Sequence, residues 1–165
     1  MKRVRPDKNI LTIAGDGGAY AIGLGETTSA ALRNENVTMF VMNNTVFGMT
    51  GGQLAPTTMI GQKTASTPAG RNFVDNGENT DVFKLMKGMD IAYLARTSVT
   101  SPANINRTKK AVRKAIEKQQ AGKGFSLVEV LVPCPTNWHM SPVDSMKHID
   151  EVVSKVYELG EVIDR

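Results

Sequence analysis

Residues 9–44 read NILTIAGDGGAYAIGLGETTSAALRNENVTMFVMNN, and this stretch decides the fold. Asn9–Ala14 is a short apolar run that stops at Gly15-Asp16-Gly17. Apolar and small residues then recur through Ala19–Leu32, the pattern of a buried helix. Asn34–Asn36 breaks that pattern. Val37–Met42 is a second apolar run, rich in β-formers, and it ends at Asn43-Asn44. Strand, helix, strand with short links is the βαβ unit of a parallel sheet.

The rest of the chain extends the same architecture. Val46–Gly77 has no convincing period and is rich in Gly, Thr, Pro and Asn; a loop of that length in a compact domain is usually functional or disordered. A helix is expected over Asp81–Met89 and a strand over Ile91–Arg96. Ser101-Pro102 opens a further helix to Gln120 as N-cap and first-turn residue. Its alanines, Val112 and Ile116 share one face, and lysines and arginines take the other. Phe125–Val132 is the most apolar strand candidate, stopped by Pro133-Cys134-Pro135. Ser141–Leu159 reads as an amphipathic helix. The fold class expected is a three-layer α/β/α sandwich on a mainly parallel sheet, one domain over residues 1–165.

Composition bounds the function. A chain of 165 residues with 41% hydrophobic residues has enough apolar content for a real core. The net charge is +4, densest at Lys2–Arg5 and Arg107–Lys118. A nucleic-acid binder would pair such runs with exposed aromatics, but aromatics are only 5% of the chain, so a solvated helix face is the better reading. No stretch is long and apolar enough to span a membrane, and Met1–Asn9 is basic and polar, unlike a signal peptide. The single cysteine, Cys134, excludes an intrachain disulfide and an all-Cys metal or iron–sulfur site from this chain alone. A reducing, cytoplasmic setting fits.

Two polar features stand at the carboxyl ends of the first two strand candidates, where open parallel sheets bind ligands. Asp16 offers an anionic oxygen, and Asn44 offers a neutral one 28 positions later. Both suit a small, hard cation such as Mg2+, which is often shared with phosphate oxygens. The glycines allow close backbone approach, and the following helix aims free N–H groups at the same place. The chemistry suggested is a metal-bridged diphosphate. A Gly-Asp-Gly alone is often a turn, and an Asn-Asn alone is often a loop. The pair on one βαβ unit carries the inference.

That pair resembles the signature of thiamine-diphosphate enzymes, and the flanking words narrow the family. Gly15-Asp16-Gly17-Gly18-Ala19-Tyr20-Ala21-Ile22-Gly23 resembles the β subunits of 2-oxoacid:ferredoxin oxidoreductases. So does Asn43-Asn44-Thr45-Val46-Phe47-Gly48-Met49-Thr50-Gly51-Gly52-Gln53, with Phe47 for the usual Tyr. Pro56-Thr57-Thr58, Gly124–Leu131 and Cys134-Pro135-Thr136-Asn137-Trp138 continue the likeness in order as far as Pro142. The words around Met49 and Trp138 favour the branch acting on 2-oxoisovalerate or 2-oxoglutarate.

The resemblance implies oxidative decarboxylation of a 2-oxoacid to acyl-coenzyme A and CO2, with ferredoxin as electron acceptor. It implies thiamine diphosphate and Mg2+ as cofactors, and an iron–sulfur cluster in the complex that this chain does not ligate. Asp16, Asn44 and the carbonyl of Val46 would hold Mg2+. Gly15, Gly17, Gly18, Gly48, Met49 and Thr50 would join them around the diphosphate, and Thr50, Gly51 and Gln53 would begin the substrate pocket. No residue is given an acid–base role. Partner subunits of α and γ type would bind the pyrimidine. Family β subunits also carry an upstream cysteine-bearing segment, so the N-terminal part of the domain is expected to be missing here. Alternatives are an inactive or truncated structural subunit, and another thiamine-diphosphate decarboxylase or synthase.

Several other residues are given bland roles. Cys134 is expected to be buried packing, His139 to be at the surface or an interface, and His148 to face solvent. Glu26, Glu35 and Glu129 pair with surface lysines as readily as they act in a site. Met39, Met42, Met59, Met86 and Met89 are core or interface filler. Met49 alone carries a functional expectation.

Overall fold

The computed structural model describes residues 1–165. Strand β1 (Leu11–Gly15) leads through a π-helical turn, Gly18–Ile22, into α1 (Leu24–Leu32) and back to β2 (Thr38–Asn43). A two-stranded hairpin follows, β3 (Val46–Phe47) with β4 (Gln53–Leu54), and then a long loop holding α2 (Phe73–Asn76). Next come α3 (Val82–Met86), β5 (Tyr93–Ser98), α4 (Pro102–Gln120), β6 (Ser126–Leu131) and α5 (Pro135–Trp138). The chain ends in α6 (Pro142–His148), a π-helical segment Ile149–Val153, α7 (Ser154–Val156) and β7 (Gly160–Asp164).

The main sheet runs β1-β2-β6-β5-β7. The first four strands are parallel, and β7 pairs antiparallel with β5. Alternation along the strands sorts side chains to two faces. Phe40, Tyr93, Ala95, Val128 and Val130 meet Ala111 and Ala115 of α4 on one face. Val41, Leu94 and Leu127 meet Ala19, Tyr20, Ala31, Val82, Phe83 and Met86 on the other. Helices on both faces make the expected three-layer sandwich. A third, smaller core joins Leu131 and Met59 to Ile149, Val153 and Tyr157 of the last helical segment.

α4 is the element most plainly written in the sequence. The Ser101 hydroxyl accepts from the Asn104 N–H at 3.2 Å, and Pro102 occupies the first turn. Such a cap stabilises a helix by about 1 kcal/mol.

Four expectations are corrected. The helix expected over Ala19–Leu32 is broken at Gly23, whose N–H reaches five residues back to the Gly18 carbonyl at 2.8 Å. A Cβ at position 23 would lie 2.6 Å from that oxygen, so only glycine tolerates this π turn. Nor is the helix wholly buried: Ile22 and Leu32 stand exposed on its outer side, and beside it β1 exposes Ile13 to 74%. The helix over Asp81–Met89 shortens to α3, capped by Asp81 accepting from the Phe83 N–H. The tail helix stops near Val156, and β7 follows it. β7 escapes the periodic signal because only Ile163 is buried among its five residues.

No helix is long and apolar enough to cross a membrane.

Candidate functional site

Parallel pairing sets Gly15 opposite Met42, so Asp16 and Asn44 leave neighbouring strand ends almost level with one another. One cleft of about 240 Å3 opens there. It is lined by Gly15, Asp16, Gly17, Gly18, Asn44, Val46, Phe47, Gly48, Met49 and Thr50. Both halves of the motif therefore face the same space, although they stand far apart in sequence. Phe47 is the one lining residue that the sequence argument left without a role. Its ring lies over Gly17, where a Cβ would come within 2.3 Å of it, so any side chain at position 17 would displace that ring.

Asp16 is 2% exposed, and its carboxylate accepts from the Thr57 hydroxyl. Burial pushes its pKa up from the ordinary 3.8 to about 6, against the pull of the Thr57 hydroxyl and the Gly17 N–H. At neutral pH this is a costly buried charge that a cation would relieve.

The second half is a strained turn. Thr45 sits at φ 61°, a conformation unfavourable for a β-branched residue. Its surroundings hold it there. The Asn43 Oδ1 accepts from the Thr45 N–H at 3.0 Å, and the Asn44 Oδ1 accepts from the Val46 N–H at 3.2 Å. The Thr58 hydroxyl donates to the Thr45 carbonyl at 2.5 Å, and Gln62 Nε2 donates to Thr45 Oγ1 at 2.8 Å. An amide oxygen has two lone pairs, so Asn44 keeps one for a ligand.

The loop behind the cleft is fastened by Arg71. Its Nη1 donates to the carbonyls of Ala55, Pro56 and Thr58, its Nη2 to those of Asn76 and Glu78, and its Nε to that of Gly77. The Tyr157 hydroxyl donates to the Thr57 carbonyl at 2.6 Å. Together they fix Thr57 against Asp16. In front, Asn137 Nδ2 donates to the Gly48 carbonyl at 3.1 Å, and Trp138 Nε1 donates to the Asn44 carbonyl at 3.1 Å. Those contacts give the Cys134–Trp138 word its place: it braces the Asn44–Gly48 turn. Thr50 donates to Gln53 Oε1 at 2.7 Å across the tip of the β3–β4 hairpin, and Met49 is fully exposed there.

The donor set is sparse. No three His, Cys, Asp or Glu side chains converge anywhere in the chain. One carboxylate, one amide oxygen and one carbonyl hold a divalent cation poorly by themselves. They suit Mg2+ when a ligand brings anionic oxygens of its own, and the glycines leave room for that ligand.

The sequence profile described as "Thiamine pyrophosphate enzyme, C-terminal TPP binding domain" matches residues 1–130. The chain belongs to this family. Within it, the chain is 37% identical to the ketoisovalerate oxidoreductase subunit VorA of Methanothermobacter thermautotrophicus, over 100% of this chain and 35% of that protein. It is 39% identical to the 2-oxoglutarate synthase subunit KorB of Archaeoglobus fulgidus, over 92% of this chain and 52% of that one. The likeness runs through the whole chain, which spans about a third to a half of these relatives. A solved 2-oxoglutarate:ferredoxin oxidoreductase from Magnetococcus marinus shares the fold, with a TM-score of 0.76 over 99% of this chain and 59% of that chain, at 21% identity.

Three side chains lie elsewhere than expected. Glu129 does not pair with a surface lysine: it is 1% exposed, deep in β6, and bonded to Arg96, Tyr20 and Asn43. His148 faces solvent only in part. It is half-buried edge-on to Trp138, with ring centroids 5.2 Å apart, and burial holds its pKa below the ordinary value. Cys134 is half-buried rather than buried, with Asn137 Nδ2 at 3.2 Å from its sulfur. Glu129 had a signal in the sequence: a carboxylate inside the most apolar strand needs a buried partner.

Proposed function

We propose that this chain supplies the Mg2+- and diphosphate-binding half of a thiamine-diphosphate-dependent 2-oxoacid:ferredoxin oxidoreductase. The observation that carries the reading is the single cleft holding both halves of the motif, with a buried Asp16 that lacks a cationic partner. The names of the curated relatives, ketoisovalerate oxidoreductase and 2-oxoglutarate synthase subunits among them, support the reaction class. The reaction is the oxidative decarboxylation of a 2-oxoacid to acyl-coenzyme A and CO2, with electrons passing through iron–sulfur clusters to ferredoxin.

Asp16, the Asn44 amide oxygen and the Val46 carbonyl would hold Mg2+ on the diphosphate. Gly17, Gly18, Gly48 and Met49 would contact the diphosphate through backbone groups. Thr50, Gly51 and Gln53, at the hairpin tip, would form the substrate-side wall. Thiamine diphosphate would bring the carbon nucleophile and the electron sink that the reaction needs. The partner subunits of α and γ type would bind its pyrimidine, and no residue of this chain acts as acid or base.

The test is purification of the assembled complex without oxygen, followed by assay of bound thiamine diphosphate and of 2-oxoacid-dependent reduction of ferredoxin. Reduction that requires coenzyme A, with 2-oxoisovalerate or 2-oxoglutarate preferred to pyruvate, is the expected result. A complex that carries no thiamine diphosphate and reduces nothing with any 2-oxoacid would end this reading.

A further inference from the structure

Beneath the cleft lies a buried carboxylate for which the cofactor reading has no use. Glu129 sits on the face of β6 otherwise occupied by Leu127 and Leu131, opposite Val41 of β2 and Arg96 of β5. Its Oε2 accepts from the Tyr20 hydroxyl at 2.7 Å. Its Oε1 accepts from Arg96 Nε at 2.6 Å and from Asn43 Nδ2 at 3.2 Å. Arg96 reaches on to Asp81 at 2.6 Å and lies 3.9 Å from the centre of the Phe83 ring.

Burying a carboxylate is expensive, and a well-packed apolar residue would serve a strand interior as well or better. The three bonds show what the charge does there. Tyr20 belongs to the Gly18–Ile22 turn, two residues after the Gly18 that lines the cleft. Asn43 directly precedes Asn44. Because its Nδ2 is drawn to Glu129, its Oδ1 is left facing the Thr45 N–H, and that bond sets the left-handed Thr45 on which the Asn44 and Val46 oxygens depend. One carboxylate therefore grips the turn after Gly15-Asp16-Gly17 and the turn at Asn43-Asn44, from below and across the sheet.

We propose that Glu129 is a positioning residue for the Mg2+–diphosphate site, holding the two halves of the motif in register through Tyr20 and Asn43. This rests on the cofactor reading above. Glu129 is not among the residues that line the cleft. It acts as the outer partners of metal ligands do, by fixing the orientation of groups that bind.

The test uses the assembled complex and isothermal titration calorimetry of thiamine diphosphate at saturating Mg2+. Thermal melting and the Mn2+ spin-resonance spectrum of the Mn2+-loaded complex are read alongside. Tyr20→Phe cuts one arm and is isosteric, and Glu129→Ala removes the hub. Both are expected to weaken cofactor binding by about tenfold or more, the usual cost of losing an outer partner, and to broaden the Mn2+ lines. Glu129→Gln, which keeps an acceptor for Asn43 and lets the Tyr20 hydroxyl reverse, should recover most of the affinity. Val128→Ala, on the opposite face of the sheet, supplies a comparable loss of stability with no path to the cleft, so it should bind as the parent does. If Glu129→Ala does not assemble, Tyr20→Phe against Val128→Ala decides alone. Equal binding by those two variants overturns the brace while leaving the site intact. A parent complex without Mg2+-dependent binding removes the cofactor site itself, and the brace with it.

Discussion

Asp16→Asn is expected to abolish Mg2+-dependent binding of thiamine diphosphate and, at the same time, to stabilise the cofactor-free chain. The two effects have one cause. Burial raises the Asp16 pKa from the ordinary 3.8 to about 6, so the folded chain pays to ionise it at neutral pH. At 1.36 kcal/mol per unit the displacement corresponds to about 3 kcal/mol. A raised pKa makes the protonated folded state the favoured one. The contribution of Asp16 to stability is therefore complete below pH 3.8 and is lost as pH rises through about 6. Asparagine keeps the size and an acceptor for the Thr57 hydroxyl, but carries no charge to desolvate. Thermal midpoints of parent and variant should coincide below pH 3.8, part as the pH rises from there to about 6, and stay apart above it, with the variant higher by several degrees. Adding Mg2+ with thiamine diphosphate should then raise the parent alone. A variant no more stable than the parent at pH 8 would show that the carboxylate is already compensated without a cation.

Arg96→Met should be the most damaging single change in the core. Arg96 is 3% exposed and is the cation that faces both Glu129 and Asp81. Burial alone would lower its pKa, but the two carboxylates overcome that and hold it above the ordinary value. Methionine fills much of the volume and can lie against Phe83, so packing is largely kept. What remains is a carboxylate buried in β6 without its cation, and removing one partner of a buried pair costs about 3–5 kcal/mol. For a chain of this size that lowers the thermal midpoint by about 10 °C or more. The double variant Arg96→Met with Glu129→Gln should regain a large part of the loss, and a double-mutant cycle in urea measures the coupling. Strict additivity of the two single changes would contradict the ion pair as the source of the effect.

The sequence carried the frame of the site because that frame is local. Gly15-Asp16-Gly17 and Asn43-Asn44 each end an apolar run, and strand ends can be read from apolar runs. α4 was legible for the same reason, since Ser101, Pro102 and the alanine face all speak within one helix. What supports the site was not local. Thr57 reaches Asp16 across 41 positions, Tyr20 reaches Glu129 across 109, and Asn137 reaches Gly48 across 89. No periodic pattern records such pairs. Pro56-Thr57-Thr58 was visible only as a word shared with a family, and its physical duty emerged from the packing. β7 was missed because a short edge strand with four outward residues has no alternation to detect. Glu129 and Arg96 could have been found: opposite charges inside two apolar strands imply each other.

The attachment of Arg71 has a kinetic side. Its guanidinium grips carbonyls at both ends of the 55–78 loop, three from residues 55–58 and three from residues 76–78. Opening either end strands buried polar groups at the other, so the loop should breathe as one cooperative unit rather than fray. Deuterium should then enter the backbone amides of both ends at a single shared rate. A protease cut between the two ends would leave the severed stubs tied by the same side chain, with Thr57 still against Asp16.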